Sequence, residues 1–229
     1  MPRLLNEQEV SHFKSKGWAH VPKVIEPRDY RAMRLYAHQV EQKSKKGVSD
    51  ILSIDKVSMI HKPFWFFYSD RNMWSMACDV LGVPEPHFLN DRLTVRYTNK
   101  GERKDAERRV KEKTYQISSV KIIVFLDHVT DDNGGISIKN SDNGRWCRPR
   151  PKTGDVICID SNTVHSFGNN YSKKDRNDYE CFYSSFGVGE NNLYETRFYN
   201  ERKESKINAK SWYIEKRRQE KLSGDESPE

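Results

Sequence analysis

The chain has 229 residues, 35% of them hydrophobic and 32% charged, enough for one sizeable core beneath a wet, charged surface. Its opening, MPRLLNEQEVSHF, lacks a basic stretch followed by an apolar run, and its longest apolar run, Ile122 to Leu126, is far short of a membrane span. No secretory leader and no membrane partner are therefore predicted, and a cytoplasmic location is expected. The net charge of +7 admits nucleic acid or an anionic small molecule as partner, but 40 basic and 33 acidic residues are interspersed, as on a solvated surface.

Asn6 and Glu9 have capping-box spacing, which predicts a short helix with Val10 and Phe13 inward, ending near Gly17. Trp18 to Ile25 reads as a strand. Pro27 suits the first turn of a second helix, whose Tyr30, Met33, Ala37 and Val40 recur at helical spacing up to Lys43–Lys46 and Gly47. The cluster His61-Lys-Pro-Phe-Trp-Phe-Phe67 is apolar without a helical period, and is expected to cover one mouth of the fold. Ser69 or Asp70 caps a third helix with Trp74, Ala77, Cys78 and Leu81 on one face, stopped by Gly82. Arg92 to Thr98 alternates as a half-buried strand.

Lys100 to Lys113 is a dense charge run with no apolar face beyond Val110. Its place between strands makes it a candidate functional loop. Val120 to Leu126 is rich in β-branched residues, and its unbroken apolar run predicts burial on both faces. A turn at Asp131 to Gly135 leads to a short return strand, Ile136 to Ile138. A loop from Asn140 to Lys152 carries Trp146, available with Trp65 and Phe66 to line a barrel mouth. Val156 to Ile159, Val164 to Phe167 and Tyr179 to Phe186 read as further strands. Many short strands broken by Gly, Asn and Asp turns predict a mainly β jelly roll or barrel with flanking helices. Residues 1–200 form one domain in this reading, and 201–229 a charged helix and tail.

His165 on one strand and Arg176 at the opening of the next form a candidate metal ligand and anion clamp. Cys78, Cys147, Cys158 and Cys181 are scattered without C-x-x-C spacing and read as reduced thiols. A nucleophile elbow, a phosphate-cradling glycine loop and a Cys-His signature are all missing.

The order of elements resembles the phytanoyl-CoA dioxygenase family of iron(II)- and 2-oxoglutarate-dependent oxygenases. The resemblance runs from Leu5 to Phe186. It is carried by the opening helix to Gly17, the helix ending Asp79-Val-Leu-Gly82, the strand Val120 to Asp127, Asp131-Asp-Asn-Gly134, Thr153-Gly-Asp155, His165 and Ser172 to Arg176. It implies a double-stranded β-helix, cupin-like in its two sheets. It also implies that His165 is the distal metal ligand and that Arg176, eleven residues later, binds the far carboxylate of 2-oxoglutarate. Imidazole suits iron, and a guanidinium makes a bidentate fork on a carboxylate. Hydroxylation of a small substrate with Fe(II) and 2-oxoglutarate as cofactors is the activity implied.

The sequence departs from the family at the His-x-Asp motif. No histidine occurs between His87 and His128, and counting back from Asn133-Gly134 puts the motif near Asp105-Ala-Glu107. Two readings follow. Asp105 and Glu107 stand in as metal ligands with His165, in a carboxylate-rich site that favours harder ions. Alternatively the metal site is lost, and the jelly roll is a catalytically inactive binding module for nucleic acid or an acidic partner, reached through the charge run. His128, at the end of a buried strand, is expected at a turn or surface rather than in the site.

Overall fold

The computed structural model describes residues 4–44, 50–68, 70–99, 108–110 and 118–185. Asp105 and Glu107, the rest of the charge run apart from 108–110, and the 201–229 segment lie outside the described residues.

Helix α1 (Glu7–Lys16) starts in the expected box: Asn6 accepts from the Glu9 N–H at 2.9 Å, and Glu9 accepts from the Asn6 N–H at 2.8 Å. Gly17 ends it in the left-handed region (φ +82°). Strand β1 (Trp18–Val21) is shorter than its sequence suggests and is followed by α2 (Pro27–Lys43). Next come strand β2 (Ile51–Asp55) and the short helices α3 (Val57–Ile60) and α4 (Phe64–Tyr68). Helix α5 (Arg71–Leu81) is capped by the Asp70 carboxylate, which accepts from the Asn72 N–H at 2.8 Å, and it stops at Gly82. Its buried face is centred on Met73, Met76, Ala77 and Val80. Trp74, Cys78 and Leu81 form the half-buried margin of that face.

The remaining strands are β3 (His87–Arg96), β4 (Arg108–Val110), β5 (Ser119–Phe125), β6 (Ile136–Lys139), β7 (Trp146–Cys147), β8 (Val156–Asp160), β9 (His165–Phe167) and β10 (Arg176–Ser184). They form two antiparallel sheets, a six-stranded one in the order β1-β8-β5-β10-β3-β2 and a four-stranded one in the order β4-β9-β6-β7. The chain passes between the sheets as it runs from β3 to β10, so strands distant in sequence become neighbours. In this way β10 pairs with both β3 and β5, and β9 with both β4 and β6. That winding is a double-stranded β-helix.

Both faces of the larger sheet are covered. On β5, Val120, Ile122 and Val124 join a core with the helices, built on Met33, Ala37, Phe64, Met73 and Met76. Ile123 and Phe125 point the other way, into a second core between the sheets with Ile136, Ile138, Ile157, Ile159 and Phe167. This double cover is why an antiparallel strand carries the unbroken apolar run usual in parallel sheets.

The His61–Phe67 cluster does not cover a barrel mouth. Phe64 is fully buried on the helix side, 5.2 Å from the Tyr179 ring, and Tyr68 stacks on Phe88 at 4.2 Å. A single helical turn brings Phe64 and Tyr68 to one face, and the aromatic outer face of β3 and β10 supplies the surface they need. Trp146 is exposed on the edge strand β7.

Candidate active site in the barrel interior

Alternation along β10 sends Tyr179, Cys181 and Tyr183 to the helix side and Arg176, Asp178 and Glu180 into the space between the sheets. All three inward residues are buried, at 2% exposure or less. They meet polar residues from β3 (Arg92, Thr94, Arg96), Lys121 on β5 and His165 on β9. The barrel interior therefore has an apolar part and a charged part.

His165 is 1% exposed and held from both sides. Its Nδ1 lies 3.0 Å from the Thr163 carbonyl oxygen, which can only accept, and its Nε2 lies 2.7 Å from the Lys121 ammonium, which can only donate. These partners fix the neutral tautomer with the proton on Nδ1 and the lone pair on Nε2. Lys121 is also buried, 3.8 Å from Glu180 Oε2. Glu180 receives a hydrogen bond from Thr94 Oγ1 at 3.2 Å and faces Arg92 Nη1 at 3.7 Å.

Arg176 is clamped a short way off. Its Nη2 donates to Asp178 Oδ2 at 2.6 Å, and its Nη1 donates to the carbonyls of Asn133 (3.1 Å) and Gly134. The Asn133-Gly134 turn thus has a structural role as the seat of this guanidinium. Gly134 has φ +85°, and a Cβ there would stand 2.6 Å from the Gly168 carbonyl oxygen, so glycine is required. Arg96, opposite Arg176 in the strand register, reaches the same Asp178 Oδ2 at 3.4 Å and stacks on the Phe167 ring at 4.1 Å. Burial, and then the neighbouring Arg176, push the Arg96 guanidinium down to about 10 against the pull of Asp178 and Glu180.

The cations outnumber the carboxylates here. Among the described residues, the buried Arg96, Lys121 and Arg176 face Asp178 and Glu180, three positive groups against two negative, while Arg92 at the margin pairs with Asp55 at 2.7 Å. Among the described residues, the buried Arg176 Nε has no hydrogen-bond partner. Surplus positive charge and an unused donor suit an anion such as a dicarboxylate, although Asp178 already occupies one edge of the Arg176 fork.

His165 and Arg176, the two predicted residues that lie in the described part, are thus both buried and both face the same interior. The fit to a metal is incomplete. His165 presents the tautomer a ligand needs, but its lone pair is taken by Lys121. Among the described residues there is no group of three or more His, Cys, Asp or Glu side chains that could hold a metal ion. His128 is exposed just beyond the end of β5, outside the site as expected, and none of the four cysteines is in a disulfide. Lys121, Asp178, Glu180 and Arg96 belong to no motif. Their signal is an alternation of charged residues, Arg176-x-Asp-x-Glu180, within a strand whose other face is Tyr-x-Cys-x-Tyr, together with one lysine inside the apolar run SVKIIVF.

No protein-family model matches the sequence, and no curated protein matches it. Solved structures do. The epimerase SnoN from nogalamycin biosynthesis, in complex with Fe3+, alpha ketoglutarate and nogalamycin RO, superposes with a TM-score of 0.66 at 14% identity, covering 78% of this chain and 82% of its own. HygX from Streptomyces hygroscopicus with nickel and 2-oxoglutarate bound gives 0.66 at 13% identity, covering 82% and 90%. EctD from S. alaskensis with bound Fe gives 0.65 at 16%, covering 80% and 77%. At these identities the likeness is one of fold: the chain is a double-stranded β-helix of the kind on which these 2-oxoglutarate and iron proteins are built. Among the described residues, no helix is long and apolar enough to cross a membrane.

Proposed function

We propose that the chain is a 2-oxoglutarate-dependent oxygenase of the non-haem iron type acting on a small molecule, a divergent relative of the phytanoyl-CoA dioxygenases. The observation that supports it is the joint burial of His165 and Arg176 in one charged interior, on a fold shared with proteins that bind iron, nickel and 2-oxoglutarate. In this reading Arg176, with its unused Nε and the excess cationic charge around it, receives the far carboxylate of 2-oxoglutarate. His165 supplies the single imidazole ligand, and Asp105 and Glu107 supply the carboxylates. Iron in such a site provides dioxygen activation coupled to decarboxylation of the oxo-acid. The chain's own contribution is to orient: Thr163 holds the imidazole ring, and the Asn133 and Gly134 carbonyls with Asp178 hold the guanidinium. The small-molecule partner is inferred from the neighbours, of which SnoN is in complex with nogalamycin RO.

Anaerobic addition of Fe(II) and 2-oxoglutarate to the purified protein tests this reading. A metal-to-ligand charge-transfer band is expected, and Arg176→Ala should abolish it. No band, with no metal retained on elemental analysis, sinks the oxygenase reading.

One observation favours a second reading. The Lys121 ammonium stands where a metal would take the His165 lone pair. A barrel that keeps this cation binds an anion without metal and acts as a binding module. Calorimetric titration of 2-oxoglutarate into metal-free protein separates the two: binding unchanged by chelator supports the module, and binding only after metal addition supports the oxygenase.

A further inference from the structure

We propose that Lys121 is a built-in competitor for the cation at His165, so that its ammonium sets how tightly the barrel takes up a divalent metal. The inference rests on the oxygenase reading only for placing a metal at His165; the competition itself follows from geometry.

Three relations carry it. First, the imidazole has one lone pair to give. Its Nδ1 is committed as donor to the Thr163 carbonyl, so Nε2 is the sole acceptor, and Lys121 Nζ uses it at 2.7 Å. A metal would sit about 2.0–2.1 Å from the same nitrogen, closer than the ammonium does now, and the two cannot share it. Second, Lys121 is 3% exposed and comes from a strand buried on both faces, so its stem cannot swing out to solvent. Displaced, the charge stays near the incoming metal and repels it, undamped by water. Third, the interior holds a second berth for the ammonium. Glu180 Oε2 lies 3.8 Å from Nζ and, among the described residues, accepts no hydrogen bond, and the Phe182 ring stands 5.9 Å from Nζ. A movement of about 1 Å would turn that ion pair into a hydrogen bond of ordinary length. Lys121 can therefore leave His165 without becoming a buried unpaired charge, and metal entry is opposed rather than forbidden.

The test is titration of Co2+ alone, without oxo-acid, into the full-length wild-type chain, Lys121→Met and Lys121→Met/His165→Ala, read by calorimetry and by the visible absorption of cobalt. Lys121→Met keeps most of the stem and removes the charge. It should bind Co2+ about tenfold or more tightly than wild type, a gain of at least ~1.4 kcal/mol, and the double variant should lose the gain. Lys121→Gln, which retains a donor for Glu180, provides the same comparison should the methionine variant fail to fold. Equal affinity in folded wild type and variants overturns the proposal, as does a gain that persists without His165. Either outcome would leave the oxygenase reading standing, since the charge-transfer band tests it independently.

Discussion

Arg96 and Arg176 stand opposite each other on β3 and β10 and lean on one carboxylate oxygen, Oδ2 of Asp178, at 3.4 and 2.6 Å. Two buried guanidiniums over a single anion are tolerable only while that anion stays. Asp178→Asn should therefore cost ~3–5 kcal/mol in urea unfolding, because it leaves buried charge uncompensated. If the interior is an oxo-acid site, 2-oxoglutarate should raise the melting temperature of Asp178→Asn more than that of wild type, since the ligand replaces the missing carboxylate. A variant as stable as wild type would show that the two arginines find other compensation.

Gly17 links the first helix to the candidate site. It ends α1 at φ +82°, its carbonyl accepts from Thr163 Oγ1 at 3.1 Å, and Thr163 in turn holds His165 Nδ1. A Cβ at Gly17 would collide with Thr163 Oγ1 and Ser141 Oγ, whereas one at Gly82, also left-handed at φ +68°, meets nothing within 4 Å. Gly82→Ala thus reports backbone strain alone, about 1 kcal/mol, while Gly17→Ala should lose ~2–3 kcal/mol. Gly17→Ala should also weaken any ligand response that depends on His165. Equal losses in the two variants would mean that Thr163 yields freely.

The contrast between those glycines shows what a sequence conveys. Gly17 and Gly82 look alike as helix stops, and both are; only the fold puts Thr163, 146 residues away, against one of them. The helices, most strands and the jelly roll were legible because caps, β-branched runs and Asn/Gly turns act locally. The family resemblance points to His165 and Arg176, and the fold buries both. Lys121 was not legible, since a single lysine in SVKIIVF reads as an exception on a buried strand until the His165 ring is seen 2.7 Å away. The charged half of the barrel depends on which strands become neighbours, and that is set by long-range pairing. The Phe64 cluster escaped for the opposite reason: its helical turns are too short to show a period.

Asp79, on the flank of α5, accepts hydrogen bonds from the Leu4 and Leu5 N–H groups at 2.9 and 3.0 Å and so anchors the segment before α1. Asp79→Ala should speed amide exchange at Leu4 and Leu5 and cost ~1–3 kcal/mol, the range for stranding buried donors. The loss should reach the Leu5 side chain, which is 1% exposed in the helix-side core. Unchanged protection at these two amides would place the anchor elsewhere.

The helix-side core also predicts an alkaline limit to stability. Burial, aided by distant carboxylates, pushes the Cys158 thiol up to about 12 from an ordinary 9.0, and burial raises Tyr179 and Tyr183 well above 10.0, with Asp91 and Cys181 respectively adding to the effect. Each group keeps its proton longer in the folded chain than in the unfolded one. By linkage, stability is intact below the unfolded values and falls as pH rises, first through the thiol from about pH 9 and then through the phenols from about pH 10. Tyr183 is held protonated by its hydrogen bond to the Tyr68 carbonyl at 2.6 Å, and Tyr179 donates to Asp91 at 3.1 Å. Urea midpoints measured from pH 8 to 11 should decline in two stages, and Cys158→Ala should remove the first without moving the second. Flat midpoints across that range would show that these rings are open to solvent and that the core is not closed as described.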